Sequence, residues 1–407
     1  MKEKYFDVII SGAGPAGCAT ALSLKDSGLS VALLDKATFP RDKICGDALS
    51  VDVINQLYKL SPSLGARFAS VTAKVACYGV KIFSPDSGCV DIPFVHENGR
   101  KPGYICTRKT FDNFMVEEVK RLHSTTLIEN CEVIDTCVSH EEARVITSNG
   151  TYVAKLIVGA EGAQSVIAKK LMSNKIDRKH YSAGLRMYYG NVKGFHSDNY
   201  IELYFFKDIL PGYLWIFPLP DDQANVGIGM LSSEVAARKV NLQQTLQRLL
   251  TTHPLLQERF RYAVSLETVK GFGLPLGSVK KKISGNRFLL TGDSASLIDP
   301  FTGEGIANAI RSGRIAGNHA IDCFQSNQFS ETFNNTYDQK IYASMQPEFL
   351  VSSALQKLCR YPRLFNTIVK KANRSKLIHN ALIDALAHVE HKRWLLKPSF
   401  YYHLLFA

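Results

Sequence analysis

The chain has 407 residues, 45% of them hydrophobic, with 49 Lys and Arg against 37 Asp and Glu for a formal net charge of +12. That length exceeds a usual single domain and that apolar share supplies a sizeable core, which excludes fibrous and disordered classes. The basic excess suits an anionic substrate, an acidic carrier protein or an anionic membrane surface; nucleic acid is set aside as a partner, because no recognised module occurs and the cations read as spread out rather than gathered on one helix.

Residues 6–10 form an apolar strand that runs into Gly12-x-Gly14-x-x-Gly17 and then a helical pattern, and a second apolar run, 31–34, ends on Asp35. This order is a βαβ unit suited to a dinucleotide. Gly12 permits the tight turn, Gly14 lets backbone approach a pyrophosphate, and Gly17 lets the helix press on the strand. The helix N-terminus offers unpaired N–H groups to the phosphates, and Asp35 is spaced to accept hydrogen bonds from a ribose diol. Asp7 and the glycine motif interrupt the first apolar run, so no signal peptide is expected. No stretch reaches the roughly 18 apolar residues of a membrane span.

Further along, 73–83 and 152–158 read as strands of a more β-like layer, and 184–189, 200–206, 213–217 and 225–229 as one antiparallel sheet. Residues 240–250 look helical, 288–290 form a short strand, and Ile306, Ala309, Ile310, Gly313, Ala316 and Ala320 fall at helical spacing. Residues 330–407 read as helices with mixed faces. The nine cysteines, Cys18, Cys45, Cys77, Cys89, Cys106, Cys131, Cys137, Cys323 and Cys359, form no CxxC pair and no metal-like spacing with histidine. They predict reduced thiols in a cytoplasmic protein without a metal site.

Five segments carry the chemistry. Phe39-Pro40-Arg41-Asp42-Lys43-Ile44-Cys45-Gly46-Asp47 is a loop of small residues flanked by cations, suited to passing close to a charged planar ligand. Arg108, with Phe111 and Asp112, opens a helix and could grip a diphosphate with two prongs; an ordinary helix-start salt bridge is the alternative. An apolar strand runs into Gly159-Ala160-Glu161-Gly162. Gly292-Asp293 follows a short strand and precedes Gly303-Glu304-Gly305-Ile306, which places Asp293 to hold polyol hydroxyls and a helix N-terminus to favour a reduced, negatively charged flavin. Finally, Tyr213, Trp215 and Phe217 share one face of a strand at period two. That row lines either a hydrocarbon tunnel, with the Tyr213 hydroxyl and Trp215 indole as polar handles, or an ordinary packed sheet face.

Taken together, these segments resemble the geranylgeranyl reductase family of FAD-dependent flavoproteins, within the larger group that includes para-hydroxybenzoate hydroxylase, over about residues 5–320. The narrower likeness rests on FPRDKICGD, on GEGI and on Pro211-Gly212-Tyr213-Leu214-Trp215-Ile216-Phe217-Pro218, which matches the family's YxWxFP pattern. The resemblance implies a mixed α/β fold: a Rossmann-like FAD-binding domain (1–72, 101–180 and 266–330) interleaved with an antiparallel-sheet substrate domain (73–100 and 181–265), followed by a helical region (331–407). It implies that Gly12, Gly14, Ala16 and Gly17 wrap the FAD pyrophosphate, Asp35 holds the adenosine ribose and Val133 meets the adenine through its backbone. Cys45, Gly46 and Ala48 would lie by the flavin, Arg108 by the phosphates, Asp293 at the ribityl chain, and Gly305 and Ile306 against the ring.

The chain departs from the larger group in having Glu161-Gly162 where Asp-Gly is usual, with the following basic residue displaced to Lys169 and Lys170. It lacks a second GxGxxG, so electrons are expected from transiently bound NAD(P)H or from a protein donor. The implied reaction is saturation of a C=C bond in a long apolar, anionic small molecule or carrier-bound acyl chain, by hydride from flavin N5, with Cys45 and Tyr213 as catalytic candidates and Tyr213, Trp215 and Phe217 binding substrate. A monooxygenase or halogenase acting through a flavin C4a-hydroperoxide is the alternative; halogenases share a related Trp-x-Trp-x-Ile-Pro strand, whereas this chain has Tyr213 first and Phe217 fifth. A non-catalytic flavin electron-transfer protein is the reading from another class. The end of the chain, with Lys392, Arg393, Trp394, Leu395, Leu396 and residues 401–406, suits closure over the tunnel, with a peripheral membrane contact as the alternative.

Overall fold

The computed structural model describes residues 3–96, 99–172 and 176–387, so the C-terminal cluster from Lys392 to Phe406 lies outside the described residues. Five parallel strands form the first layer, in the spatial order Thr125–Ile128, Val31–Leu34, Lys4–Ser11, Gly150–Gly159, Phe288–Leu290. Val8, Ile9, Ile10 and the whole of Val31–Leu34 are fully buried, as the continuous apolar runs of a parallel sheet covered on both faces require. An antiparallel hairpin, Val133–Val138 and Ala143–Thr147, pairs with the first half of Gly150–Gly159. The strand expected at 152–158 thus lies inside the nucleotide-binding sheet, between Lys4–Ser11 and Phe288–Leu290.

The register decides where chemistry gathers. Ser11 lies opposite both Leu34 and Gly159, and Gly159 lies opposite Leu290. Four chain segments therefore leave the sheet at one carboxyl edge: Gly12, Asp35, Ala160 and Thr291 with Gly292 and Asp293. That edge is where open parallel sheets bind ligands. Behind it, helix Pro15–Ser23 packs on helix Ile306–Ser326. The approach is backbone-close, since a Cβ on Gly313 would overlap the Ala16 carbonyl.

The second sheet runs Tyr181–Gly190, Gln223–Leu231, Tyr213–Leu219, Ile201–Tyr204, Gly79–Phe83, Cys89–Pro93. Its pairs are antiparallel except Ile201–Tyr204 with Gly79–Phe83, which are parallel. Strand Lys270–Pro275 also pairs with Tyr181–Gly190, so the second layer extends past the boundary expected at 265. One face of this sheet, with Leu214, Ile216, Val226 and Ile228, buries the apolar side of helix Leu242–Thr252. The other face, with Leu203, Trp215 and Phe217, shares a core with Phe365, Ile368, Val369 and Ile378 of the helices Pro362–Ala372 and Lys376–Ala387.

Candidate active site

At the carboxyl edge of the first sheet, Gly12 has φ 100, and a Cβ there would overlap the Ala160 carbonyl oxygen. A Cβ on Gly17 would overlap the Gly12 carbonyl oxygen, so the turn and the helix are interlocked through glycine. Gly14 caps helix Pro15–Ser23 without a side-chain hydrogen bond, leaving the first N–H groups to a ligand. The Ala16 side chain is buried and packs toward Gly292, so only its backbone faces the loop. Asp35 accepts hydrogen bonds from the Ala13 N–H at 2.8 Å and the Ala37 N–H at 2.9 Å. The Cys131 N–H bonds the Asp35 carbonyl at 2.9 Å, which brings the strand that starts at Val133 beside the same carboxylate.

Of the two readings of Arg108, the structure shows the helix-start salt bridge. Its Nε and Nη2 both clamp Asp112, each at 2.7 Å, and both residues are buried. Both prongs engage Asp112, as a buried guanidinium needs a carboxylate, while Arg108 remains on the wall of the cavity between the layers. Sequence reading did not single out Arg41 for this position. It bonds the same Asp112 at 2.9 Å and stands 3.8 Å from the position of a Gly14 Cβ. Arg41 also stands 3.8 Å from Asp35, so it bridges the two carboxylates beside the open face of the glycine loop.

A cavity of about 800 Å³ runs between the layers. Cys45, Gly46, Ala48 and Arg108 form part of its wall, Asp293, Gly305 and Ile306 lie on the first-sheet side, and Tyr213, Trp215 and Phe217 come from the second sheet. Lys43, also on the wall, meets Asp293 at 3.3 Å. Helix Ile306–Ser326 begins at Gly305 with no side-chain cap, so a second uncapped N-terminus opens on the cavity. These residues fit FAD: two helix N-termini free of side-chain caps, a glycine trough that a Cβ would fill, and carboxylates at Asp35 and Asp293 to accept hydroxyl donors. When bound, FAD supplies two-electron transfer through its ring.

Tyr213, Trp215 and Phe217 stand in a row, with ring centroids 6.2 and 6.3 Å apart. Glycines make room for them: a Cβ on Gly46 would lie 2.8 Å from the Phe217 ring, and one on Gly227 would overlap the Trp215 indole. The expectation of polar handles is corrected by the hydrogen bonds. Tyr213 donates its hydroxyl to the Thr302 carbonyl, and the Trp215 indole N–H donates to Asn225 Oδ1 at 2.9 Å. The row thus offers ring surface rather than free donors. Burial pushes the Tyr213 hydroxyl well above its ordinary value, which disfavours proton release. Tyr213→Phe should therefore keep turnover within about threefold, because the ring stays and one neutral hydrogen bond is lost. A loss of more than about a hundredfold in kcat, measured at saturating substrate, would return the hydroxyl to the chemistry.

Beneath this wall lies a buried network that sequence reading did not find. Asp47 is fully buried with φ 67 and accepts hydrogen bonds from Tyr188 at 2.6 Å, Asn225 at 2.8 Å and the Arg108 N–H at 3.2 Å. Asn225 also donates to the Cys45 carbonyl at 2.8 Å, so one amide fixes both the indole and the Cys45-Gly46 loop. Burial pushes the Asp47 carboxyl from its ordinary 3.8 up to about 6, against the hydrogen bonds from Tyr188 and Asn225 that pull it down.

A carboxyl raised in the folded state holds its proton there while the unfolded chain has lost it. Stability accordingly falls as pH rises from about 4 to about 6 and stays lower above, by about 3 kcal/mol. Asp47→Asn keeps an acceptor and tolerates the positive φ. Its melting temperature should lose that slope between pH 4 and 6, and an unchanged slope would exclude Asp47 as the source.

Glu161, in the unusual Glu-Gly pair, accepts from the Ser165 hydroxyl and from the Ile167 N–H at 3.1 Å, which ties it to the start of helix Val166–Met172. Lys170 pairs with Asp135 at 3.1 Å, away from any role beside that pair. All nine cysteines are free thiols. Among the described residues no group of His, Cys, Asp and Glu is arranged to hold a metal, and no helix is long and apolar enough to cross a membrane.

Comparison with known proteins agrees with this geometry. Residues 181–272 match the geranylgeranyl reductase catalytic domain and residues 7–41 an FAD binding domain. The chain is 29% identical to the digeranylgeranylglycerophospholipid reductase of Methanocella arvoryzae over 361 residues, 84% of this chain and 83% of the relative. It is 26% identical to the menaquinone reductase of Mycobacterium tuberculosis over 400 residues, 94% and 91% of the two chains. A geranylgeranyl bacteriochlorophyll reductase-like protein of Thermoplasma acidophilum has the same fold, with a TM-score of 0.81 at 21% identity over 97% of this chain and 100% of that one. The chain thus resembles named reductases over most of its length, and its two matched segments are those of a geranylgeranyl reductase catalytic domain and an FAD binding domain.

Proposed function

We propose that this enzyme saturates C=C bonds of a long isoprenoid lipid, taking electrons from NAD(P)H or a protein donor through FAD. One observation carries the reading: the cavity passes from Asp293 and Gly305 to an aromatic wall whose polar atoms are already bonded within the protein. Such a wall rewards apolar surface and offers nothing specific to a polar substrate. The names of the relatives, a geranylgeranylated phospholipid reductase and a menaquinone reductase, support the same substrate class.

The chain's own residues would act by positioning. Gly12, Gly14, Gly17 and Asp35 hold the nucleotide end of the cofactor, and Arg41 balances its phosphates. Asp293, Gly305 and Ile306 hold the ring end, and the aromatic row lays the hydrocarbon against it with water excluded, so the reacting carbon is aligned before transfer. Cys45 is the candidate group on the wall for supplying the proton that completes saturation, its loop held by Asn225.

The test is anaerobic turnover of the flavin-loaded enzyme with a geranylgeranylated phospholipid. Reoxidation of the reduced flavin that depends on lipid, with a gain of two hydrogens per double bond by mass spectrometry, is the expected result. No product without air, but stoichiometric oxygen uptake with a hydroxylated or halogenated product once air is admitted, would overturn it in favour of an oxygenase. Reoxidation indifferent to lipid would indicate an electron-transfer protein.

A further inference from the structure

The positive charge of this chain is less evenly spread than its overall composition suggests. Between residues 349 and 383 there is no Asp or Glu, yet seven Lys and Arg occur. Two of them pair with acids from elsewhere, Arg360 with Glu234 at 3.1 Å and Lys370 with Asp86 at 2.8 Å. Lys357, Arg363, Arg374 and Lys376 are exposed and Lys371 is half-buried.

These cations sit on the end of helix Glu331–Leu358, on helix Pro362–Ala372, in the turn that follows it and at the start of helix Lys376–Ala387. Two bulky apolar side chains stand out among them: Tyr361, 65% exposed, and Leu377, 43% exposed. The inner faces of the same helices, through Phe365, Ile368, Val369 and Ile378, belong to one apolar core with Trp215 and Phe217 of the cavity wall. Phe365 packs edge-on against Phe205 at 4.8 Å.

A surface that joins free cations to exposed apolar side chains, and whose inner side packs into the core behind the cavity's aromatic wall, is the pattern of a protein that rests on an anionic bilayer. We propose that the outer face of residues 357–377 docks on anionic membrane lipid, with Tyr361 and Leu377 entering the interface and the cations meeting headgroup phosphates. The helices packed behind the aromatic wall would then be the part of the enzyme nearest the bilayer, which holds the wall close to a membrane-borne apolar chain. An acidic protein is the rival partner for cations, but it does not account for the two exposed apolar groups beside them.

The test uses the full-length, FAD-loaded protein and vesicles of phosphatidylcholine alone or mixed with phosphatidylglycerol, separated by sedimentation. It reads no turnover, so its outcome is independent of the proposed reaction, which is assayed separately on detergent-dispersed lipid. Binding should be strong only with phosphatidylglycerol and be released by high salt. The quintuple variant K357Q/R363Q/K371Q/R374Q/K376Q should bind at least about a hundredfold more weakly, given roughly a fivefold contribution per basic residue. Its flavin spectrum and melting temperature should match the parent, which guards against misfolding. The variant K25Q/K59Q/K109Q/K239Q, which removes exposed lysines elsewhere, should bind within about threefold of the parent. Equal loss in both variants would mean general charge attraction and overturn the assignment, as would absence of binding to either vesicle, the result expected if the face serves an acidic protein.

Discussion

Gly12→Ala should yield a protein that purifies without yellow colour, with affinity for FAD lowered at least about a hundredfold, equivalent to roughly 3 kcal/mol. Two independent effects act at this position. The backbone has φ 100, outside the region an L side chain adopts without strain, and the new methyl would overlap the Ala160 carbonyl oxygen. Relieving the overlap means separating the ends of strands Lys4–Ser11 and Gly150–Gly159, whose register places Ser11 opposite Gly159. That movement displaces the loop whose N–H groups would meet the pyrophosphate. Gly28→Ala is the control, because Gly28 also has positive φ, at 75, but a Cβ there meets nothing within 4 Å. It should lose about 1–2 kcal/mol of stability and keep its colour. Absorbance of the purified proteins and calorimetric titration with FAD decide between them. A Gly12→Ala protein that binds FAD as the parent does would remove the glycine turn from the cofactor site.

The second large effect is expected at Trp215. Trp215→Ala removes the middle ring of the aromatic row and leaves Asn225 Oδ1 without the indole donor that now bonds it at 2.9 Å. The residue is 5% exposed and shares a core with Phe217 and the C-terminal helices, so stability should fall by about 3–5 kcal/mol. For catalysis the prediction is sharper. kcat/KM for a long apolar substrate should drop about a hundredfold, since alignment of the chain against the flavin is lost. The rate of flavin reduction by an artificial donor should stay within about twofold, because the nucleotide end is untouched. Trp215→Phe keeps most of the ring surface without the N–H and should lie between the two. If Trp215→Ala turns over a polyprenyl lipid with unchanged KM, the aromatic row is only core packing.

The nucleotide half of the site was legible because its signals are local. A glycine at a turn, an apolar run of strand length and an acid at fixed spacing each act within about thirty residues, and Val31–Leu34 and Phe288–Leu290 appear in the structure with the bounds read from sequence. The period-two row at Tyr213, Trp215 and Phe217 was equally plain, since alternation alone puts three side chains on one face. What those side chains touch was not. The second sheet reaches Pro275 because Lys270–Pro275 finds an edge on Tyr181–Gly190, a pairing that local pattern does not announce.

Polar partners were the least readable part. Sequence left Arg108 between a diphosphate grip and a helix-start salt bridge, and only the fold shows that Asp112, one helical turn on, takes both prongs of its guanidinium. The Asp47–Asn225 bond joins residues 178 positions apart, and although Asp47 closes the FPRDKICGD segment, nothing local aims it at Asn225. Order along the chain thus sufficed to name the cofactor, the two layers and the aromatic face, because backbone conformation and side-chain period are short-range properties. Folding alone assigned each buried charge and each hydroxyl its partner and gave the cavity its depth. A buried polar group is satisfied by whatever lies within about 3 Å, and distance in space bears no fixed relation to distance in sequence.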